Sequence, residues 1–294
     1  MRDVSKEEIL HMLDIATKIE NKQIVPDLTG KLAALLFFEP STRTHFSFET
    51  AMKKIKGQTF SMSGTSTTSV QKGETLHDTL KTISMYADII VMRTMLEGAA
   101  RYASEVVHIP VVNAGDGANQ HPTQAMLDLY SILKTQGTLQ NLTLGLIGDL
   151  RLGRTVHSLA QALADFNPTF YFISPSHLAM PSYIKDDLRA KNVKFEEVRE
   201  IEAILPELDI MYVTRIQKER FAVPEDYEKI KNSYIVSKKM LKGVKENFKV
   251  LHPLPRVNEI TTDVDNTPYA YYFEQARNGV FMRQAIISIL LGAV

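Results

Sequence analysis

The chain has 294 residues, 44% hydrophobic and 23% charged, and its 34 basic and 34 acidic side chains leave a formal net charge of zero. That length suits two domains of ordinary size, and that composition belongs to a globular protein, not a disordered one. The charge balance argues against a nucleic-acid partner, and the absence of cysteine excludes disulfides, thiolate nucleophiles and Cys-ligated zinc.

The first twenty residues carry Arg2, Asp3, Lys6, Glu7, Glu8 and Asp14, leaving no room for the apolar core of a signal peptide. The longest apolar stretches, 32–38 and 285–294, are too short to span a membrane, so a soluble, cytoplasmic protein is expected. Beyond the N-terminus, short apolar runs alternate with polar clusters. LAALLFF leads into EPSTRT, DIIVMR into TMLEG, and VVNAGDGANQ into HPTQ. LTLGLIG leads into DLRLGR, FYFIS into PSH, DIMYV into TRIQKER, and FKVL into HPLPR. Runs of this length suit strands buried on both faces.

Between them, 61–74 is too polar to pack and reads as a solvated loop. Residues 121–137 read as a helix, with Met126, Leu129, Tyr130 and Leu133 at helical spacing and Gly137 as its stop. Val156, Leu159, Ala160, Leu163 and Phe166 fall on one face of a second helix, and Pro181 opens a third. Strand, loop and helix in alternation predict an α/β protein with parallel sheets. We place a domain boundary at the end of the 121–137 helix, with one sheet before it and a second built from 142–251. Two sheets facing across a cleft would suit an enzyme with two substrates.

In parallel sheets, ligands bind beyond the carboxyl ends of the strands. Here those ends carry Arg43, Arg93, His121, Arg154, Arg215 and His252. Ser41, Thr42, Arg43 and Thr44 stand where a strand gives way to a helix, which suits a phosphate cradle and equally suits a Ser/Thr cap with a surface arginine. His121 at a helix start favours a neutral imidazole able to donate to a carbonyl oxygen, with Gln124 one turn on. Arg154 at a helix start is unfavourable unless an anion sits there, the alternative being a solvated arginine. Arg215 and Gln217 alternate beyond a strand and can point to one side. The two prolines around Leu254 predict an extended backbone with its carbonyl turned to a ligand. Walker, G-x-G-x-x-G, G-x-S-x-G and H-E-x-x-H patterns are absent, and His77 and Asp78 lack a second metal-spaced histidine.

Taken in order from about Leu32 to Arg283, these segments resemble the transcarbamoylase family. PSTRT, HPTQ and the strand-ending VMR are similar to its carbamoyl-phosphate-binding marks, and GDLRLGRTVHS, TRIQKER and HPLPR to its aspartate-using branch. The ornithine branch shows HCLP, whose cysteine has no counterpart here. The resemblance implies carbamoyl transfer from carbamoyl phosphate to L-aspartate, a step of pyrimidine biosynthesis, with no cofactor and no metal. It implies a carbamoyl-phosphate domain at 1–136, joined by a returning C-terminal helix at 278–294, and an aspartate domain at 137–277.

Ser41, Thr42, Arg43 and Thr44 would then hold the phosphate. Thr44, Arg93 and His121 would surround the carbamoyl oxygen, and Gln124 and the Leu254 carbonyl would orient the carbamoyl nitrogen. Arg154, Arg215 and Gln217 would bind aspartate, while Ser69 and Lys72 would reach in from the neighbouring chain of a homotrimer. Departures from the family pattern include His45 for a second arginine, Arg151-Leu152 for Lys-Tyr, and Asn258 for aspartate. Separate regulatory chains remain open as partners. So do another amine acceptor and a non-catalytic scaffold.

Overall fold

A computed structural model describes residues 1, 3–64, 72–216 and 234–294. The described chain divides into two compact units, one of Met1, Asp3–Leu127 and Arg277–Val294, the other comprising Asp128–Ala276. Both divisions fall inside helices.

In the first unit, α1 (Lys6–Glu20) opens on a reciprocal cap. Ser5 Oγ accepts the Glu8 N–H at 3.1 Å, and Glu8 Oε2 accepts the Ser5 N–H at 2.7 Å. There follow β1 (Leu32–Phe37), α2 (Arg43–Lys54), β2 (Gln58–Ser63), α3 (Leu76–Ser84), β3 (Ile89–Thr94), α4 (Ala99–Val106), β4 (Val111–Asp116) and α5 (Pro122–Gln136). The sheet is wholly parallel, in the order β2-β1-β3-β4. β1 and β3 are buried on both faces, and Leu35, Leu36, Ile90 and Val91 are fully excluded from water. Each such side chain contributes about 1.5–3 kcal/mol.

The second unit holds β5 (Thr143–Ile147), α6 (Arg154–Leu163), β6 (Thr169–Ile173), α7 (Ser182–Ala190), β7 (Lys194–Val198), β8 (Ile210–Val213), β9 (Lys249–Leu251) and the start of α8 (Tyr272–Leu290). Its parallel sheet runs β7-β6-β5-β8-β9. One device recurs in both sheets. Asp88, just before β3, accepts the Leu32 N–H at 2.9 Å, and Asp209, just before β8, accepts the Thr143 N–H at 2.9 Å. A lysine partners each carboxylate, Lys31 the first and Lys245 the second. Each aspartate thus fixes the register of a central strand pair.

The apolar runs all form strands, but β2 and β7 carry none and the sequence reading misses them. Both are edge strands with alternating or open burial. A half-solvated edge needs no continuous apolar run, and β2 takes the first three residues of what reads as a polar loop. The second helix also departs from expectation. α6 is buried around nearly its whole circumference, with the polar His157, Ser158 and Gln161 buried as well as Leu159. Phe166 lies beyond it, buried in a 3₁₀ turn at Ala164–Phe166. α5 starts and stops where the spacing predicts, with Gly137 left-handed at φ +72°.

Candidate active site

Strand order reverses between β1 and β3 in the first sheet and between β5 and β8 in the second. Chains diverging from such a point leave a crevice at the carboxyl ends, where parallel sheets receive ligands. Both reversals carry arginines.

In the first unit, β1 ends at Phe37 and α2 starts at Arg43. Thr42, at the helix cap, makes no side-chain capping bond, and the first turn holds no acidic residue. The simple Ser/Thr cap therefore does not form, and the backbone donors of this turn keep their attraction for an anion. Ser41 is half-buried, Thr42 and Arg43 are exposed, and Thr44 is 7% exposed. Arg93 lies on β3 where the register to β4 shifts between Met92 and Thr94. Its Nε donates to Glu39 Oε1 at 2.6 Å and its Nη1 to Thr44 Oγ1 at 3.4 Å. Arginine, threonine and glutamate from three segments thus meet at one strand end.

His121 lies at the carboxyl side of the adjacent β4, 4% exposed, and its carbonyl accepts the N–H groups of Gln124 and Ala125 to start α5. Gln124 is also buried. The loop before them is built on Asp116, whose carboxylate accepts from Asn113 Nδ2, Asn119 Nδ2 and the backbone of Gln120 and Gly98, all within 3.1 Å. Lys72 is exposed in a turn before Gly73. Ser69 lies outside the described residues, as does Gln217.

In the second unit, the β5–α6 loop turns at Gly148, at φ +111°. A Cβ there would meet the Thr214 carbonyl oxygen at 2.2 Å, so only glycine lets the ends of β5 and β8 close up. Asp149 Oδ1 accepts the Leu152 N–H at 2.9 Å, and His157 Nε2 donates to the Leu150 carbonyl at 2.7 Å. This loop delivers Arg154 to the first position of α6. Arg154 is only 8% exposed, so it is not a solvated arginine. Thr214 bonds Ile147 through both its N–H and its hydroxyl, setting half-buried Arg215 at the end of β8.

The backbone at Leu254 is not extended. Its φ is +55° and the Leu254–Pro255 bond is cis. His252 Nδ1 accepts the Leu254 N–H at 2.7 Å, curling the chain back on itself. Arg256 is held by Asp265, with its guanidinium 5.2 Å from the Tyr272 ring centroid and 5.6 Å from that of Phe273. The Arg256 bond holds the Asp265 carboxyl below the usual range, and burial pushes the Tyr272 phenol up.

Among the described residues, no group of three His, Asp or Glu side chains could hold a metal ion, and no helix is long and apolar enough to cross a membrane. Sequence reasoning gave no role to Glu39, Asp116 or Glu259. Glu39 had one signal, an acid directly after a buried apolar run and just before the Ser41–Thr44 cluster.

Residues 1–134 match the carbamoyl-P binding domain of aspartate/ornithine carbamoyltransferase, and residues 140–290 match the Asp/Orn binding domain. The chain is 56% identical over 289 residues to the aspartate carbamoyltransferase catalytic subunit of Parabacteroides distasonis, covering 98% of this chain and 94% of that protein. It is similar to the solved catalytic subunit of M. jannaschii aspartate transcarbamoylase, with a TM-score of 0.92 and 49% identity over 99% of this chain and 96% of that one. Aspartate transcarbamoylase from Trypanosoma cruzi, solved with carbamoyl phosphate and aspartate, matches with a TM-score of 0.89 and 35% identity over 96% of this chain and 92% of that one. With both halves of the fold, the strand-end cations and these likenesses in agreement, the chain belongs to the aspartate/ornithine carbamoyltransferase family.

Proposed function

We propose that this chain transfers the carbamoyl group of carbamoyl phosphate to the amine of L-aspartate, giving N-carbamoyl-L-aspartate and phosphate, as in pyrimidine biosynthesis. The observation that carries this reading is Arg93, fixed by Glu39 with its Nη1 on Thr44 Oγ1. Such a cluster presents positioned donors to an oxygen that gains charge during acyl transfer. The names of the relatives select aspartate as acceptor.

In this reading residues 1–136 with 278–294 serve carbamoyl phosphate, and residues 137–277 serve aspartate. Ser41, Thr42, Arg43 and Thr44 hold the phosphate at the start of α2. The deprotonated amine attacks the carbamoyl carbon and a tetrahedral oxyanion forms. Thr44, Arg93 and His121 donate to it, while Gln124 and the Leu254 carbonyl orient the carbamoyl nitrogen. The carbon–oxygen bond to phosphate then breaks and the departing phosphate takes the amine proton, so no side chain serves as general base. Arg154, Arg215 and Gln217 neutralise the two aspartate carboxylates. Fixing both substrates supplies much of the remaining acceleration.

The same reading makes the protein a cytoplasmic homotrimer, with Ser69 and Lys72 completing the site of a neighbouring chain and with regulatory chains as optional partners. The test is turnover of carbamoyl phosphate with aspartate, ornithine or acetylornithine, with the mass in solution measured alongside. Activity with aspartate and a trimeric mass are expected. Turnover with ornithine alone moves the acceptor assignment, and none with any amine refutes the reading.

A further inference from the structure

One ring in the second unit is engaged at both nitrogens. His252 is 1% exposed, with Nδ1 2.7 Å from the Leu254 backbone nitrogen and Nε2 2.7 Å from Glu259 Oε1. A backbone N–H can only donate, so Nδ1 must present its lone pair. The ring proton therefore sits on Nε2 and is aimed at the Glu259 carboxylate. Glu259 Oε2 accepts the N–H groups of Val257 and Asn258, each at 3.1 Å, so one carboxylate fixes both the ring and the outgoing chain. Burial pushes the Glu259 carboxyl up, but the His252 and backbone bonds outweigh it and hold the group below its usual range.

The incoming chain is fixed as well. The His252 N–H donates to Gln275 Oε1 at 2.8 Å. Gln275 Nε2 donates to Asp128 Oδ1 at 2.6 Å, and the Tyr212 hydroxyl to Oδ2 at 2.8 Å. Asp128, Tyr212, Gln275 and Glu259 are all buried. Between these anchors sits Leu254 in the left-handed region, where a leucine persists only when its surroundings over-determine it.

We propose that His252 and Glu259 are positioning residues for the Leu254 carbonyl. Glu259 holds the imidazole as its Nε2–H tautomer, and Nδ1 then pins the Leu254 N–H, which sets the left-handed φ of Leu254 and so the direction in which its carbonyl, on the next peptide, faces the carbamoyl nitrogen. The inference deepens the carbamoyl-transfer reading and rests on it. It predicts that the ring acts through its Nδ1 acceptor and not through bulk or charge.

Two amides separate these roles. His252→Asn puts an oxygen where Nδ1 stands and can still accept the N–H two residues on. His252→Gln reaches towards the Nε2 position and leaves Leu254 without its acceptor. The KM for carbamoyl phosphate should stay within about threefold of the parent in H252N and rise about tenfold in H252Q, the loss of roughly one hydrogen bond. The KM for aspartate should change less than about twofold in both. Independently of any variant, long-range proton–nitrogen spectra of the parent chain, labelled with ¹⁵N-histidine, should show His252 protonated on Nε2 and bare on Nδ1. Equal carbamoyl phosphate KM values in the two variants, a matching rise for aspartate, or a proton on Nδ1 overturns the proposal. A parent chain with no turnover of the two substrates overturns the functional reading instead, while the spectrum still reports on the tautomer.

Discussion

Arg93 uses the shape of its side chain as much as its charge. Nε is committed to Glu39, so the planar group is held with Nη1 on Thr44, an arrangement that a lysine ammonium cannot reproduce. Arg93→Ala should lower turnover roughly 10²–10³-fold at saturating substrates, and Arg93→Lys should recover little of it. Near-normal turnover in Arg93→Ala would remove the residue from the chemistry. Asp209 supports a different prediction. Burial pushes its carboxyl up, but Lys245, the Thr143 N–H and Asn247 outweigh this and leave it below the usual aspartate range. A group lowered in the folded state stabilises fully above its unfolded value of about 3.9, and that contribution is lost as pH falls through the folded value. Asp209→Asn should therefore cost about 1–3 kcal/mol at neutral pH, with the urea midpoints of variant and parent converging in acid. At this scale, sequence shows which residue types stand at strand ends, but not their partners. Arg93 could be singled out because it closes an apolar run, whereas Glu39 meets it across 54 residues and leaves no local trace.

A strand or helix is legible when its own burial writes a pattern into it. β1, β3, β5 and β8 are buried on both faces and stand out as apolar runs. β2 and β7 take their conformation from the neighbour to which they pair, so composition hides them. The turn at Leu254 is hidden for a related reason, because two prolines suggest extension and only the buried His252 reverses it. Gly148 offers a test at this scale. Gly148→Ala forces a Cβ against the Thr214 carbonyl and strains a positive φ, so β5 and β8 must part. The expected loss is about 2–4 kcal/mol in chemical denaturation, together with a higher KM for aspartate because Arg215 follows Thr214 directly. A variant as stable as its parent would show that the strand ends tolerate separation.

At the scale of the whole protein, the proposed trimer makes Lys72 and Arg215 members of one site drawn from two chains. Lys72→Ala and Arg215→Ala chains, each inactive alone, should regain part of the activity when mixed and reassembled. If no activity returns, each site is built by a single chain. The division into units carries its own consequence. The second unit is continuous in sequence, whereas the first is completed only by residues 277–294, after the second has been made. In that last segment Arg283 is 3% exposed, stands 4.9 Å over the Phe48 ring and donates to Ser47 Oγ at 2.8 Å, 236 residues away. During translation the first unit therefore waits, with its Phe48 face bare, until residues 277–294 leave the ribosome. A polypeptide ended early by a nonsense codon keeps that face uncovered, and becomes ready prey for cellular proteases instead of persisting as half an enzyme.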